Sequence, residues 1–196
     1  YEAEPGEQTE RVLEANKLAA GIIYTAAGLP FMLSGEEYGK TKHGNDNSFD
    51  SGKEVNQIDW ARAARMGNLL DFYRTLIALR RANPDWFSAE HIAVEAPGDT
   101  VAYRVHDTAV LINPGHDDAA LDARALEQAY ADDAHDDLPA APAGTQSAQP
   151  PAWTCVLDST SAEPARPTLA AVRPDGVFPM PARTLTIWKR TPNTGA

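Results

Sequence analysis

The sequence has a single cysteine, Cys155. An intramolecular disulfide is therefore excluded, and no Cys/His cluster has the spacing of a zinc site. Between Thr154 and Val156, in an apolar strand-like run, this thiol reads as a small buried hydrophobe. No base is suggested nearby that would make it a nucleophile. No apolar stretch approaches the roughly 20 residues that cross a bilayer, so no membrane partner is expected. A basic segment followed by an apolar one is also missing at the start. The polar opening Glu2-Ala-Glu-Pro-Gly6 reads as cut from something longer. Positive charge is scarce, with 17 Lys and Arg against 28 Asp and Glu and a net charge of −11. That balance argues against a nucleic-acid partner, which needs a phosphate-neutralising surface, but does not oppose a neutral polymer such as a glucan. His43, His91, His106, His116 and His135 are scattered without partners at metal spacing. The acidic pairs Asp132-Asp133 and Asp136-Asp137 lack the ordered ligand pattern of a calcium loop. No metal and no cofactor are expected.

What is present fits one domain, or one domain with part of another, in 196 residues of which 43% are hydrophobic. From Glu7 to about Ala26, apolar residues recur at Val12, Leu13, Leu18, Ile22 and Ile23, which predicts a helix. Gly28 ends it. Leu29-Pro-Phe-Met-Leu33 is then continuously apolar, as expected of a strand buried on both faces in a parallel sheet. Residues 34–65 read mostly as loop, and a loop of that length in a compact domain is functional or disordered. A second helix is predicted from Met66 to Ala82, with Leu69, Leu70, Phe72, Tyr73, Leu76, Ile77 and Leu79 as its apolar stripe. Arg80 and Arg81 suit its negative end, and Pro84 lies beyond it. Helix, buried strand, long loop, helix is α/β grammar, and it is incomplete, because one strand cannot form a sheet.

Past residue 90 the texture changes. Thr100-Val-Ala-Tyr-Arg-Val105, Ala109-Val-Leu-Ile112, Trp153-Thr-Cys-Val-Leu157, Thr168-Leu-Ala-Ala-Val172 and Arg183-Thr-Leu-Thr-Ile-Trp188 are strand candidates, with a turn at Asn113-Pro-Gly115. Together they predict a small antiparallel β domain, a sandwich. Residues 116–152, rich in Ala, Asp and Pro, read as a linker-like insertion with at most one short helix around Leu121–Tyr130. The expected division is 1–87 and 88–196.

Two runs carry a resemblance. Gly28-x-Pro30-x-x-x-x-Gly35-x-Glu37 is similar to the eighth strand of the α-amylase-type barrel, glycoside hydrolase family 13. Behind it, Glu37-Tyr-Gly-Lys-Thr-Lys42, Asn47-Ser-Phe49 and Val55-Asn-Gln-Ile-Asp-Trp60 resemble the corresponding loop of the type I pullulanases. The helix ending Leu79-Arg80-Arg81 before Pro84, and the closing Phe178–Trp188 run, fit the same family. The resemblance is strong over about 12–84 and weakens afterwards; 116–152 match nothing we can name. Phe49 stands where Tyr is usual, and Asp50, Gly52 and Lys53 replace the more typical Asn, Pro and Asp. These positions lie in the loop expected to line the groove.

The resemblance implies that residues 1–87 are the last part of a (β/α)8 barrel, followed by the β domain. It implies a retaining glycosidase cleaving α-1,6-glucosidic links in pullulan, starch or glycogen dextrins. Such a mechanism uses an Asp nucleophile, a Glu acid/base and a second Asp, with the two principal carboxyl groups about 5–5.5 Å apart. In the family these come from strands upstream of Tyr1, so no catalytic residue is expected here. Glu36 and Glu37 do not supply the pair, because adjacent residues leaving a strand point to opposite sides. Glu37 is expected to be a buried carboxylate paired with an arginine of the barrel, and Asp59 and Trp60 to anchor the loop to the next helix. Asn47, Lys53, Asn56 and Gln57 are the candidate sugar contacts, since amides both donate and accept as a pyranose requires; loop self-capping is the competing role. Trp86, Trp153 and Trp188 are expected in the core. The missing N-terminal part of the enzyme is the expected partner, and without it the chain is expected to be inactive and poorly stable. An isoamylase or neopullulanase is the alternative within the family, and a noncatalytic carbohydrate-binding β module the alternative outside it.

Overall fold

A computed structural model describes residues 7–133 and 152–191 of the chain. Helix α1 spans Glu7–Thr25, and after a long irregular stretch come the short helices α2 (Lys53–Asn56) and α3 (Trp60–Arg65), then α4 (Gly67–Ala82). The second half holds β1 (Ile92–Val94), β2 (Val101–Val105), β3 (Thr108–Asn113), β4 (Ala119–Asp122), α5 (Ala123–Asp133), β5 (Ala152–Asp158), β6 (Val177–Met180) and β7 (Thr184–Thr191). Five strands form one antiparallel sheet in the order β1-β2-β3-β7-β5, and β4 pairs with β6 in a separate two-stranded ribbon.

The sheet is covered on both sides. Every residue of β3 is buried, which a strand with one wet face would not show. Its residues alternate between two cores, as the two-residue period of a strand requires. Ala109 and Leu111 join Trp153, Cys155, Trp188, Phe178 from β6, Leu121 from β4 and Leu126 from α5. Val110 and Ile112 instead join Leu185 and Ile187 of β7 and the helical residues Ala20, Tyr24, Leu69, Phe72, Tyr73 and Leu76. Strand β5 serves both sides by means of a bulge: Cys155 is opposite Trp188, Leu157 is opposite Ile187, and the register shifts between them. The extra residue flips parity, so that Leu157 faces the helices although Trp153 and Cys155 face the ribbon.

The helical core therefore crosses the 87/88 boundary expected between the two halves. Helices α1 and α4 lie on the sheet and meet edge to face at Tyr24 and Tyr73, with ring centroids 6.0 Å apart. Gly21 permits the approach of α1, because a Cβ there would fall inside contact distance of the Leu185 side chain. Arg80 of α4, expected to serve its own helix end, reaches across and donates to the carbonyls of Tyr24, Ala26 and Gly28. Those are orphan acceptors at the negative end of α1, where a guanidinium is favoured twice over.

Several expectations are corrected. The Leu29–Leu33 run is not a strand here: Leu29 is 85%, Phe31 86% and Leu33 59% exposed. No described strand lies beside it, and an isolated strand has nothing to satisfy its backbone. The outer positions Val12, Ile22 and Ile23 of the predicted α1 stripe are also exposed, while Ala20 and Tyr24 make the buried contact. Thr168–Val172 forms only one bridge, Val172 to Trp153, rather than a strand. In the described part of the linker-like stretch, 116–133, the short helix expected around Leu121–Tyr130 is present as α5, but β4 precedes it and Leu121, Ala123 and Leu126 are buried, so this part is packed rather than a linker. Few but well-placed apolar residues suffice, because small alanines let α5 lie close to the sheet. Residues 134–151 fall outside the described set. The predicted strand Arg183–Trp188 is β7, while the first part of the Phe178–Trp188 run lies in β6 of the other sheet, with Arg183 at φ 54° in the bend. The strands divide into one sheet of five and one of two.

Among the described residues the buried side-chain polar atoms are paired, except the Tyr38 hydroxyl, which has no hydrogen-bond partner. Arg104, fully buried in β2, donates to the carbonyls of His106 and Ala129, the latter near the C-terminus of α5. Trp153 donates its indole N–H to Glu127 at 2.7 Å, and Glu127 in turn pairs with Arg190 at 2.8 Å. Trp188 donates to Thr186 Oγ1 at 2.8 Å. Trp86 is also buried, so the three tryptophans are core residues as expected.

Two outcomes follow from this packing. Gly21→Val drives two extra methyl groups into the buried Leu185 side chain and should destabilise the chain by about 2–3 kcal/mol, read as a lower urea midpoint at unchanged slope. Cys155 is buried and its thiol is pushed up to about 12, chiefly by desolvation and further by the neighbouring charge of Asp158. It should stay unreactive toward a thiol-disulfide reagent at mildly alkaline pH until denaturant unfolds the sheet. Rapid labelling of the folded chain would contradict that environment.

Candidate functional site

The candidate site is the stretch 34–60, whose first turn is held against α1 and α4. It begins in a tight double-glycine turn. Gly35 (φ 109°) and Gly39 (φ 62°) flank a single 3-10 turn at Glu36–Tyr38. Both need left-handed backbone, and at Gly35 a Cβ would also press on the Lys40 side chain. Tyr38 is buried beneath the turn. The backbone closes with Lys40 N–H donating to Gly35 O at 2.8 Å.

Glu37 does not meet an arginine among the described residues. Its Oε2 instead accepts from the Gly35 N–H at 2.8 Å, so the carboxylate closes its own turn. Glu36 and Glu37 are successive residues of a 3-10 turn rather than of a strand, and they diverge by about a third of a turn. Successive residues of such a turn are not placed to flank one glycosidic bond. Glu36 is tied to α1 through its carbonyl: Asn16 Nδ2 donates to it at 3.3 Å, and Tyr73 donates to Asn16 Oδ1 at 3.0 Å. Burial raises the Tyr73 and Tyr24 pKa values, and the charges of Glu36 and Glu37 add to the effect, so both hydroxyls remain neutral donors.

The loop proper is a hydrogen-bonded knot around Asn56. Its Nδ2 donates to Ser48 O at 2.7 Å and to Ser51 O at 3.0 Å. Its Oδ1 accepts from Lys42 Nζ at 2.7 Å and from Ser48 Oγ at 3.2 Å. Lys40 Nζ donates to the Asn56 carbonyl at 2.7 Å. Two amide protons and two lone-pair sites are all the side chain has, and all four are used within the loop. Asn56 is thus placed apart from the other three candidates. The side chains of Asn47, Lys53 and Gln57 are exposed and make no hydrogen bond among the described residues. Their backbones are held, with Asn47 N–H on Asn45 Oδ1 at 3.0 Å and Gln57 N–H on Lys53 O at 2.8 Å.

The anchoring pair divides. Asp59 caps α3, its Oδ1 accepting from Arg62 N–H at 2.8 Å, and Arg62 Nε returns to Gly39 O at 2.7 Å, so that α3 is strapped to the glycine turn. Trp60 is 74% exposed and packs little. Lys40, Lys42, Ser48, Ser51 and Arg62 were not singled out by the sequence. Their only signal is polar side chains dense enough to replace a core, which composition does not separate from a solvated loop.

A cleft of about 400 Å³ lies on the seam between α1, the α3–α4 bend and the turn after β5. Lys17 closes it, donating to Asn68 Oδ1 at 2.6 Å and Ser159 O at 2.7 Å, and burial lowers its pKa. This is a strap between the helices and the β half. Among the described residues no group of three or more His, Cys, Asp or Glu could hold a metal, and no helix is long and apolar enough to cross a membrane.

No family model matches the chain. It is 42% identical over 80 residues to the pullulanase of Bacillus subtilis (strain 168), a match covering 41% of this chain and 11% of that protein. In three dimensions it is similar to the pullulanase from Bacillus acidopullulyticus, with a TM-score of 0.70 and 26% identity over 95% of this chain and 21% of that one. It also shares the fold of the type I pullulanase of Bacillus subtilis solved in complex with maltose, with a TM-score of 0.69 and 20% identity over 95% of this chain and 25% of that one. The chain thus spans about a tenth of the curated relative and a quarter or less of these solved structures. By sequence the chain is similar to a stretch of the Bacillus subtilis pullulanase, and by fold to part of the solved pullulanases.

Proposed function

We propose that the chain supplies one wall of the substrate groove and the C-terminal β domain of a debranching glycoside hydrolase that cleaves α-1,6-glucosidic bonds in pullulan, starch or glycogen dextrins with retention of configuration. The observation that carries this reading is the braced 40–57 loop, with three unengaged sugar-type ligands on it, in a chain of pullulanase fold. Asn47 and Gln57 present amides that can both donate and accept, and Lys53 presents a donor; a pyranose ring offers the matching hydroxyls. Asn56 serves this surface from behind.

On this reading residues 1–87 close a (β/α)8 barrel and 88–196 form the β domain, a sandwich in which the large sheet faces the two-stranded ribbon and α5. Leu29, Phe31 and Leu33 would be covered by barrel strands that precede this chain, and the segment would become a strand once it had neighbours to pair with. Their exposure, with that of Val12, Ile22 and Ile23, supports the idea: one contiguous chain rarely leaves so many large apolar groups wet without a partner. The catalytic Asp, Glu and Asp belong to that preceding part, which is the chain's essential partner. Alone, the chain should hydrolyse nothing and should self-associate through the uncovered face.

The reading is tested in two steps. The isolated chain should release no reducing sugar from pullulan, and any turnover would place catalytic carboxylates here. In the full-length enzyme, Asn47→Ala or Gln57→Ala should raise KM about 3–10-fold at nearly constant kcat, as loss of one uniform binding hydrogen bond does. Lys53→Met should act in the same direction. If KM on pullulan is unmoved by all three, the sugar-facing assignment of the loop is wrong.

A further inference from the structure

The geometry points to Asn56 as a positioning residue that fixes the glucan-facing surface of the loop, with Lys40 and Lys42 as its clamps, rather than as a sugar contact itself. This rests on the glucan-binding reading of the loop. Asn56 is solvent-exposed, yet its side-chain amide has no unused donor or acceptor with which to meet a hydroxyl. A sugar hydroxyl would first have to displace a lysine or a backbone carbonyl, an exchange with little net gain.

What the amide holds is informative. Ser48 O and Ser51 O bracket the turn that carries Phe49 and Asp50, and Ser51 N–H closes that turn on Ser48 O at 3.1 Å. Asn47 enters the turn and Lys53 begins α2, while Gln57 follows Asn56 directly. One side chain thus sets the spacing of all three proposed contacts and of Phe49, whose ring is 87% exposed. The lysines complete the arrangement from the other side. Lys40 grips the backbone carbonyl and Lys42 the side-chain oxygen of the same residue, so the chain leaving the glycine turn is pinned to the end of α2. Charge-assisted bonds of this kind are roughly twice as strong as neutral ones. Without apolar cover, the loop depends on them for its shape.

The test has two arms. In the 196-residue chain, Asn56→Ala should speed amide hydrogen exchange across 45–57 at least about tenfold, while exchange in β3 and β7 stays unchanged. Lys42→Met should produce the same pattern more weakly. In the full-length enzyme, Asn56→Ala should raise KM on pullulan by about tenfold or more, beyond either Asn47→Ala or Gln57→Ala alone, with kcat changed less than about twofold. Asn56→Asp keeps both acceptor oxygens for Lys42 and Ser48 but loses the donors, and should fall between wild type and alanine. Unchanged loop exchange in Asn56→Ala overturns the brace. A fall in kcat at constant KM overturns a positioning role in binding. Faster exchange with no effect of any loop variant on KM leaves the brace standing and removes glucan recognition as its purpose.

Discussion

Burial of β3 and β7 on both faces is the constraint on which the rest of the chain depends. A sheet wet on one side would need only the ribbon and α5 to complete it. Here the second face carries Val110, Ile112, Leu157, Leu185 and Ile187, a surface that must be covered, and α1 and α4 cover it. The β-bulge at residues 155–157 is the local device that makes this work, because it lets one edge strand contribute Cys155 to one core and Leu157 to the other. The helices in turn fix the stretch between them: the Gly28 turn is held by Arg80, and the Glu36 turn by Asn16 and Tyr73. Packing against the β half thereby sets where the 34–60 stretch begins.

The loop itself is organised on a different principle. Across 40–57 order comes from hydrogen bonds that run from lysine to amide to carbonyl. In water each such bond is worth little net, and their collective value lies in leaving one arrangement in which every donor and acceptor of the Asn56 side chain is met. This explains how Asn47, Lys53 and Gln57 stay exposed and unengaged on a defined backbone. It also separates roles among chemically similar residues: Asn56 and Asn47 are both exposed asparagines in one loop, and only their partners tell them apart.

Much of this was legible in advance. The 3.6-residue pattern marked α1 and α4 to within a residue or two, short apolar runs marked β2, β3 and β5, alternation marked β7, and the Gly28–Glu37 and Asn47–Trp60 runs carried the resemblance. What failed shares a cause. Leu29–Leu33 was read as a buried strand from its apolarity, but burial and pairing belong to neighbours, and none of the described residues supplies them. Residues 116–133 looked like linker because large apolar side chains are rare there; three or four placed at the right contacts were enough. The Val177–Met180 strand was not expected, because four residues with a proline among them carry little local strand signal.

The sequence by itself determined the helices, most strands, the buried tryptophans and the resemblance to pullulanases, because these rest on short-range periodicity and on motifs that are contiguous in the chain. Only the tertiary structure decided which core each face serves, that Arg80 caps α1 rather than its own helix, and that Asn56 braces the loop on which Asn47, Lys53 and Gln57 are displayed. Those outcomes turn on contacts between residues far apart in sequence, and the same side chain can brace or bind according to whether its hydrogen bonds are already spent.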